Sequence, residues 1–403
     1  MEDLVAGTFT GRNFGWMPGQ KAEAIQHLAR IIREDDGQGA TAQQFDGLPY
    51  RLLFTGTNNA IPEDFQLTPD FRVNVGSGTN EEIFNAVVRV VAAYVKGLTF
   101  SKTDDAGAPI RSPFDIFLEV NALPQQPEGN ETPLDYSRRL RDLVNGLQNP
   151  QFVLANPNRP DGLFQFHDQP FRFGAAELDG LKIFLAEPQT PIASQAELAQ
   201  GKIGNCVRCH AATHFTDFKL HNTGTAQKEY DDLHGAGQFS LLAIPSLAVR
   251  NAAPQQYLPT THEHPTYQEP FRSVPSASNP ALTDLGLWNI FANPDMPNPQ
   301  ATIRAILCET QPSPCPSDDV LLPLTIARFK APSLRDLGHS APYMHNGQFD
   351  TLDDIVVFHR NSSNAARGGT LRNPSPFLSG IALTANDVSP LVSFLQSLNE
   401  DYQ

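Results

Sequence analysis

The chain has 403 residues, a formal net charge of −15, and a composition that is 40% hydrophobic and 18% charged. That is globular material long enough for two domains, and the acidity argues against nucleic acid as a partner while permitting a basic one. No apolar run approaches the roughly 18 residues that a membrane-spanning helix needs, so no membrane span is expected.

In chain order, residues 21–33 place Ala24, Ile25, Leu28, Ile31 and Ile32 at helical spacing ahead of the stop Asp35-Asp36-Gly37. Thr79 with Glu82 forms a capping box, and Ile83, Val87, Val90, Val91, Tyr94, Val95 and Leu98 make one apolar face behind it. Gly76-Ser77-Gly78 just before is a short turn without a following Lys, which argues against a phosphate loop. Thr132-Pro133 opens a third helix carrying Leu140, Leu143 and Leu147, and Ala175 to Leu185 is a fourth. Residues 222–325 are poorly patterned and rich in Pro, Asn, Thr and Gln, with Trp288 and Phe291 as anchors. A structureless connection of that length is uncommon in a compact domain, so the region reads as an insertion folded onto its neighbour. Its His262 and His264 are a weak candidate metal pair. Thr351 with Asp354 caps Ile355, Val356, Val357 and Phe358. A last helix carries Val388, Leu391, Val392, Leu395 and Leu398, with Pro390 limiting where its first turn begins. Strand signals are short and scarce, so the fold class is mostly α with long loops.

Residues 206–210 read Cys-Val-Arg-Cys-His, the only C-x-x-C-H in the chain. Two thiols one turn apart can each add to a haem vinyl group, and the adjoining histidine reaches the iron as proximal ligand. Cys206, Cys209 and His210 are therefore the candidate site of one covalent haem c. The same residues also admit a zinc half-site completed by His214 or His221, or a redox dithiol. The remaining cysteines, Cys308 and Cys315, flank a loop with two prolines that can close into a disulfide ring or stay as free thiols. A disulfide suits an oxidising compartment, and thioether attachment normally happens outside the cytoplasm, so a periplasmic or otherwise exported location is expected. Met1-Glu2-Asp3 opens no signal peptide. The expectation is that a leader has been removed, or that the chain begins partway into a longer precursor.

A haem held by one histidine needs a decision about its sixth position. Besides Met1, the chain offers Met17, Met296 and Met344, and Met344 sits in the turn-rich loop Ala341-Pro342-Tyr343-Met344-His345-Asn346-Gly347. Spacing alone leaves Met344 equally a soft iron ligand and a core methionine.

From about residue 175 onward the chain resembles the C-terminal haem domain of the bacterial di-haem cytochrome c peroxidase and MauG-like family. The matching segments are Gly204–His210, Phe215-Thr216-Asp217, His221-Asn222-Thr223-Gly224, Asp284-Leu285-Gly286, Phe329–Arg335 and the Ala341–Gly347 loop. The resemblance implies that His210 is proximal and Met344 distal on a low-spin haem, with Tyr343 the weaker alternative and His345 outside the ligand set. It also implies a redox partner protein, and a calcium ion near the domain junction for which no residues are assigned. Family members carry a second C-x-x-C-H in an N-terminal domain, where peroxide is reduced, and this sequence has none. Phe9-Thr10-Gly11-Arg12 and Ser112-Pro113-Phe114-Asp115 resemble segments downstream of that first haem. Residues 1–174 are then expected to be part of the N-terminal peroxidase domain without its haem motif. Residues 175–403 are expected to be a c-type cytochrome domain with its insertion at about 222–325.

Three functions follow as expectations. One is electron transfer through a His/Met-ligated haem. Another is part of a di-haem enzyme that reduces hydrogen peroxide or oxidises a partner, with its second haem upstream of Met1. The most remote is a zinc-stabilised binding module.

Overall fold

The computed structural model describes residues 21–38, 47–56, 61–63, 66–97, 111–261 and 264–401. Phe9–Arg12, Met17, Leu98 and His262 lie outside them. Described residues are mostly helical, and no helix among them is long and apolar enough to cross a membrane. The chain divides into two compact units, Met1–Phe100 with Ala253–Val274, and Ser101–Ala252 with Pro275–Gln403.

The first unit holds helices α1 (Lys21–Glu34) and α2 (Asn80–Gly97). The capping box forms as the sequence predicts. The Thr79 backbone N–H donates to Glu82 Oε2 at 2.7 Å, and the Glu82 N–H donates back to Thr79 Oγ1 at 3.2 Å. Ala29, Ile32, Phe54, Val75, Ile83 and Ala86 make the core between these elements. Two residues expected on buried faces point outward, Ile31 at 47% exposure and Tyr94 at 67%. The apolar stripe is wider than the surface its partner covers. Ahead of α2, Asn74 Oδ1 accepts from the N–H groups of Gly76 and Ser77 at 3.1 and 3.2 Å, so the glycine turn closes on itself.

The second unit carries α3 (Pro113–Val120), α4 (Pro133–Gly146), α5 (Ala175–Leu185), α6 (Thr225–His234), α7 (Gln300–Cys308), α8 (Leu352–Arg367) and α9 (Val388–Gln396), with shorter helical turns between them. Thr132 and Thr351 cap α4 and α8 by accepting from the backbone of Asp135 and Asp354, both at 3.1 Å. Helices α5 and α9 cross at Gly180, where a Cβ would lie 1.9 Å from the Pro390 carbonyl oxygen. Only glycine permits that approach. Around the crossing sits an aromatic core: Phe184 and Phe394 with ring centroids 5.1 Å apart, Phe114 and Phe215 at 5.5 Å, and Phe117 stacked on Phe173 at 4.1 Å.

Phe114, Phe117 and Phe173 share one core with Phe184 and Phe215, so that core draws on both sides of residue 174. The region 222–325 is partly helical. It contains α6 and α7, and its 253–274 stretch groups with the first unit. Trp288 and Phe291 are buried as anchors. What holds them is Arg250, fully buried, whose guanidinium donates to the carbonyls of Trp288 at 2.6 Å and Phe291 at 2.7 Å.

Candidate haem site

The end of α5 positions the cysteine motif. Gly204 N–H donates to the Ile183 carbonyl at 2.8 Å, and Asn205 N–H to the Ala186 carbonyl at 2.9 Å. A Cβ on Gly204 would lie 2.8 Å from both the Ile183 oxygen and Cys206 Sγ, so glycine is required there. Asn205 takes a left-handed conformation, φ 51°, and its side chain donates to the Phe377 carbonyl at 2.8 Å. The chain then turns tightly through Cys206–Arg208, with the N–H groups of Cys209 and His210 both donating to the Cys206 carbonyl at 3.2 and 2.9 Å. Two half-buried thiols therefore stand one turn apart.

His210 is oriented by the aromatic core. Its Nδ1 lies 2.9 Å from the Phe215 carbonyl oxygen, which can only accept, so Nδ1 carries the proton and Nε2 keeps its lone pair. The Phe215 ring itself is fully buried in the core. Burial lowers the His210 pKa to about 4, against the smaller opposing pull of that hydrogen bond. The imidazole is neutral at pH 7, as an iron ligand must be. A donor pinned to a backbone carbonyl is the arrangement that fixes the ring and tautomer of a metal-binding histidine.

The thiols do not suit the competing chemistries. Burial pushes Cys206 up to about 12 and raises Cys209 too, helped there by the charge of Asp217. A redox dithiol needs the opposite shift. For zinc, His221 is engaged elsewhere, its Nε2 paired with Asp217 at 2.8 Å and its Nδ1 with Ser375 Oγ at 3.3 Å. Among the described residues, neither His214 nor His221 joins the two thiols in a metal-type cluster.

The segments that carried the resemblance come together around this motif. Phe329 and Lys330 pair antiparallel with His221 and Leu220 as a two-stranded ribbon. Thr216 Oγ1 donates to the Ala331 carbonyl at 2.8 Å, and Ser333 Oγ to the His214 carbonyl at 2.7 Å. Arg335 Nε donates to the Thr213 carbonyl at 3.1 Å while its other nitrogens hold Asp115 at 2.7 and 2.9 Å and Glu400 at 2.8 Å. Asp115 is also the N3 residue of a capping box with Ser112 on α3. Gly286 lies beside Arg328, tied by Leu287 N–H to the Arg328 carbonyl at 3.0 Å and Ala327 N–H to the Leu285 carbonyl at 2.9 Å.

In the Ala341–Gly347 loop, Met344 is half-buried at φ 67°, and Gly347 N–H closes the turn onto its carbonyl at 3.2 Å. The Tyr343 hydroxyl donates to the Leu337 carbonyl at 3.0 Å, which commits it to the backbone. His345 is exposed, its ring stacked on Phe329 with centroids 3.5 Å apart. Cys308 and Cys315 are bridged, with Cα atoms 5.4 Å apart. His264 stacks on Tyr267 at 4.6 Å.

Sequence reasoning passed over two contributors. His359, on α8, has Nδ1 2.9 Å from the Ile355 carbonyl oxygen and is close enough to His210 to disfavour a charge there. It sits inside an apolar helical run, where nothing local marks it. Glu187 gathers Arg138 at 2.8 Å, Arg141 at 3.2 Å and Arg208 at 3.5 Å beside the motif. The Arg138 hydrogen bond chiefly holds its carboxyl below the ordinary range.

Comparison with known proteins finds partial matches. A stretch of 77 residues, 19% of the chain, is 38% identical to cytochrome-c peroxidase IdrP1 of Denitromonas iodatirespirans and covers 19% of that protein. Over 203 residues, 50% of the chain, it is 27% identical to cytochrome-c peroxidase IdrP2 of the same organism, covering 38% of it. Methylamine utilization protein MauG of Paracoccus denitrificans (strain Pd 1222) is 32% identical over 95 residues, 19% of the chain and 24% of MauG. No family model matches. The alignments thus span well under half the length of the relatives named. The kinship is partial in length but consistent in kind: over these stretches the chain is similar to bacterial cytochrome-c peroxidases and to MauG.

Proposed function

We propose that the chain is a c-type haem protein that transfers electrons, with Cys206 and Cys209 holding one haem by thioethers, His210 as proximal ligand and Met344 as distal ligand. The observation that carries this reading is the His210 imidazole, neutral and clamped on the Phe215 carbonyl, directly beside two thiols on one turn. The donor set fits the group: two protonated thiols to add to vinyls, one nitrogen lone pair, and one thioether in a turn tied to the same unit. Haem c, when bound, supplies an iron centre that cycles between ferric and ferrous. The Phe215 carbonyl draws on the Nδ1 proton and so strengthens His210 as a donor. Val207 and Phe215, buried beside the motif, would keep water from His210. Export to the periplasm and a partner protein that gives or takes the electron belong to the same proposal. So does the assignment of 1–174 to a peroxidase-like N-terminal region and of 175–403 to a cytochrome domain.

The names of the relatives favour a second reading, part of a peroxidase-type enzyme whose substrate-reducing haem lies outside this sequence. A pyridine haemochrome assay on purified protein should find one covalent haem per chain, and haem extractable by acidified organic solvent would overturn the assignment. Met344→Ala should abolish the thioether-to-iron charge-transfer band of the ferric protein, and an unchanged band would assign the sixth ligand elsewhere. Hydrogen peroxide turnover with a reduced donor should be negligible, because His210 and Met344 would together hold the iron and leave peroxide no place to bind. Sustained turnover would favour the enzyme reading.

A further inference from the structure

Away from the cysteine motif, His167, Asp336 and His339 bring one ligand atom each to within 4.8 Å of one another, the only such cluster of three among the described residues. His167 is 4% exposed at its side chain, and its Nε2 lies 3.1 Å from Asp336 Oδ1 and 2.8 Å from the Glu400 carbonyl oxygen. The His339 ring lies over the His167 ring, with centroids 4.3 Å apart and a 30° tilt, and is itself exposed to solvent.

The backbone is shaped to allow this gathering. Asp336 takes the left-handed conformation, φ 56° and ψ 47°, which turns the chain so that residues 336 and 339 share one side. A Cβ on Gly338 would lie 2.5 Å from His167 Nδ1, so glycine alone lets the imidazole enter. Nε2 lies 2.8 and 3.1 Å from two oxygens, inside the roughly 3.4 Å between neighbouring ligands of a tetrahedral ion bonded at about 2.1 Å, so taking up an ion requires the three atoms to part by only a few tenths of an ångström. We propose that His167, Asp336 and His339, with the Glu400 carbonyl alongside, form a binding site for a zinc-type divalent cation. Two imidazoles and one carboxylate select such an ion over calcium or magnesium, which prefer all-oxygen shells. The exposed His339 side leaves room for water to complete the coordination.

The cation would join the 164–171 segment and residues 399–401 to the turn that leads into the Met344 loop, where Tyr343 already holds the Leu337 carbonyl at 3.0 Å. The site is independent of the haem reading.

Equilibrium dialysis of the full haem-bearing chain against Zn²⁺, with metal per chain read by mass spectrometry, tests it. One zinc per chain is expected. His339→Ala, at an exposed position, and Asp336→Asn, which suits the left-handed backbone, should each weaken uptake by about tenfold or more. His264→Ala should leave uptake unchanged, and excess Ca²⁺ should not displace the zinc. No uptake by the wild type, equal uptake by His339→Ala, or displacement by Ca²⁺ would overturn the assignment.

Discussion

Arg335 occupies the point where the motif loop, α3 and the chain terminus meet. Its guanidinium is shared by Asp115, Glu400 and the Thr213 carbonyl, and its side chain is 14% exposed. Removing it leaves two carboxylates facing each other with little water to screen them. Arg335→Leu should therefore cost about 3 kcal/mol in a denaturant titration, and a loss under about 1 kcal/mol would show the cluster to be incidental. Burial alone would raise Asp115, but the charge and hydrogen bonds of Arg335, with those of Ser112, hold it below the ordinary carboxylate range. A depressed carboxylate contributes its stability above the unfolded value of about 4 and loses it as pH falls through the folded one. The wild type should accordingly weaken below about pH 4, and the variant should show a smaller change over that window. No local pattern in the sequence pairs Asp115 with a residue 220 positions away.

At the scale of elements, the crossing of α5 on α9 depends on Gly180. Gly180→Ala would drive a methyl into the Pro390 carbonyl, and overpacking of this kind costs about 3 kcal/mol. Thermal unfolding should show it as a lowered midpoint, whereas an unchanged midpoint would mean that the helices can part freely. Helices with a Thr-to-acid cap were legible in the sequence, because a capping bond spans three residues and needs no partner from elsewhere: Thr79, Thr132 and Thr351 all behave so. Which residues of each stripe are buried was less legible. Leu143 is 42% exposed and Ile31 47%, while Phe84 and Tyr136, not singled out from spacing, are at most 1% exposed. Facing is set by the neighbour, which periodicity does not identify. The short helix α3 escaped for a related reason, since eight residues make barely two turns of pattern.

For the molecule as a whole, the two half-buried histidines near the cysteine motif make acid a specific threat to the haem-free chain. His210 is lowered to about 4 and His359 is lowered as well, burial being the main cause for both. The unfolded chain takes up these protons near pH 6.5, the folded His210 only near 4 and the folded His359 also below its ordinary value, so stability should be full above about pH 6.5 and decline as pH falls below it. Denaturant midpoints of haem-free protein across that range check this, and His210→Asn should flatten the slope. The sequence by itself carries the proposed chemistry of attachment, because two thiols and a histidine within five residues act as one local unit wherever they are placed. It also determined the mostly helical character, through caps and periodic stripes. Only the tertiary structure decided what surrounds His210: the Phe215 carbonyl held by an aromatic core, His359 from α8, and the ribbon of 220–221 with 329–330 beside the loop. It also placed His167 beside Asp336 and His339. Apart from Phe215, residues 220–221 and the Asp336–His339 turn, those neighbours come from more than a hundred residues away, and such distances leave no trace in local spacing.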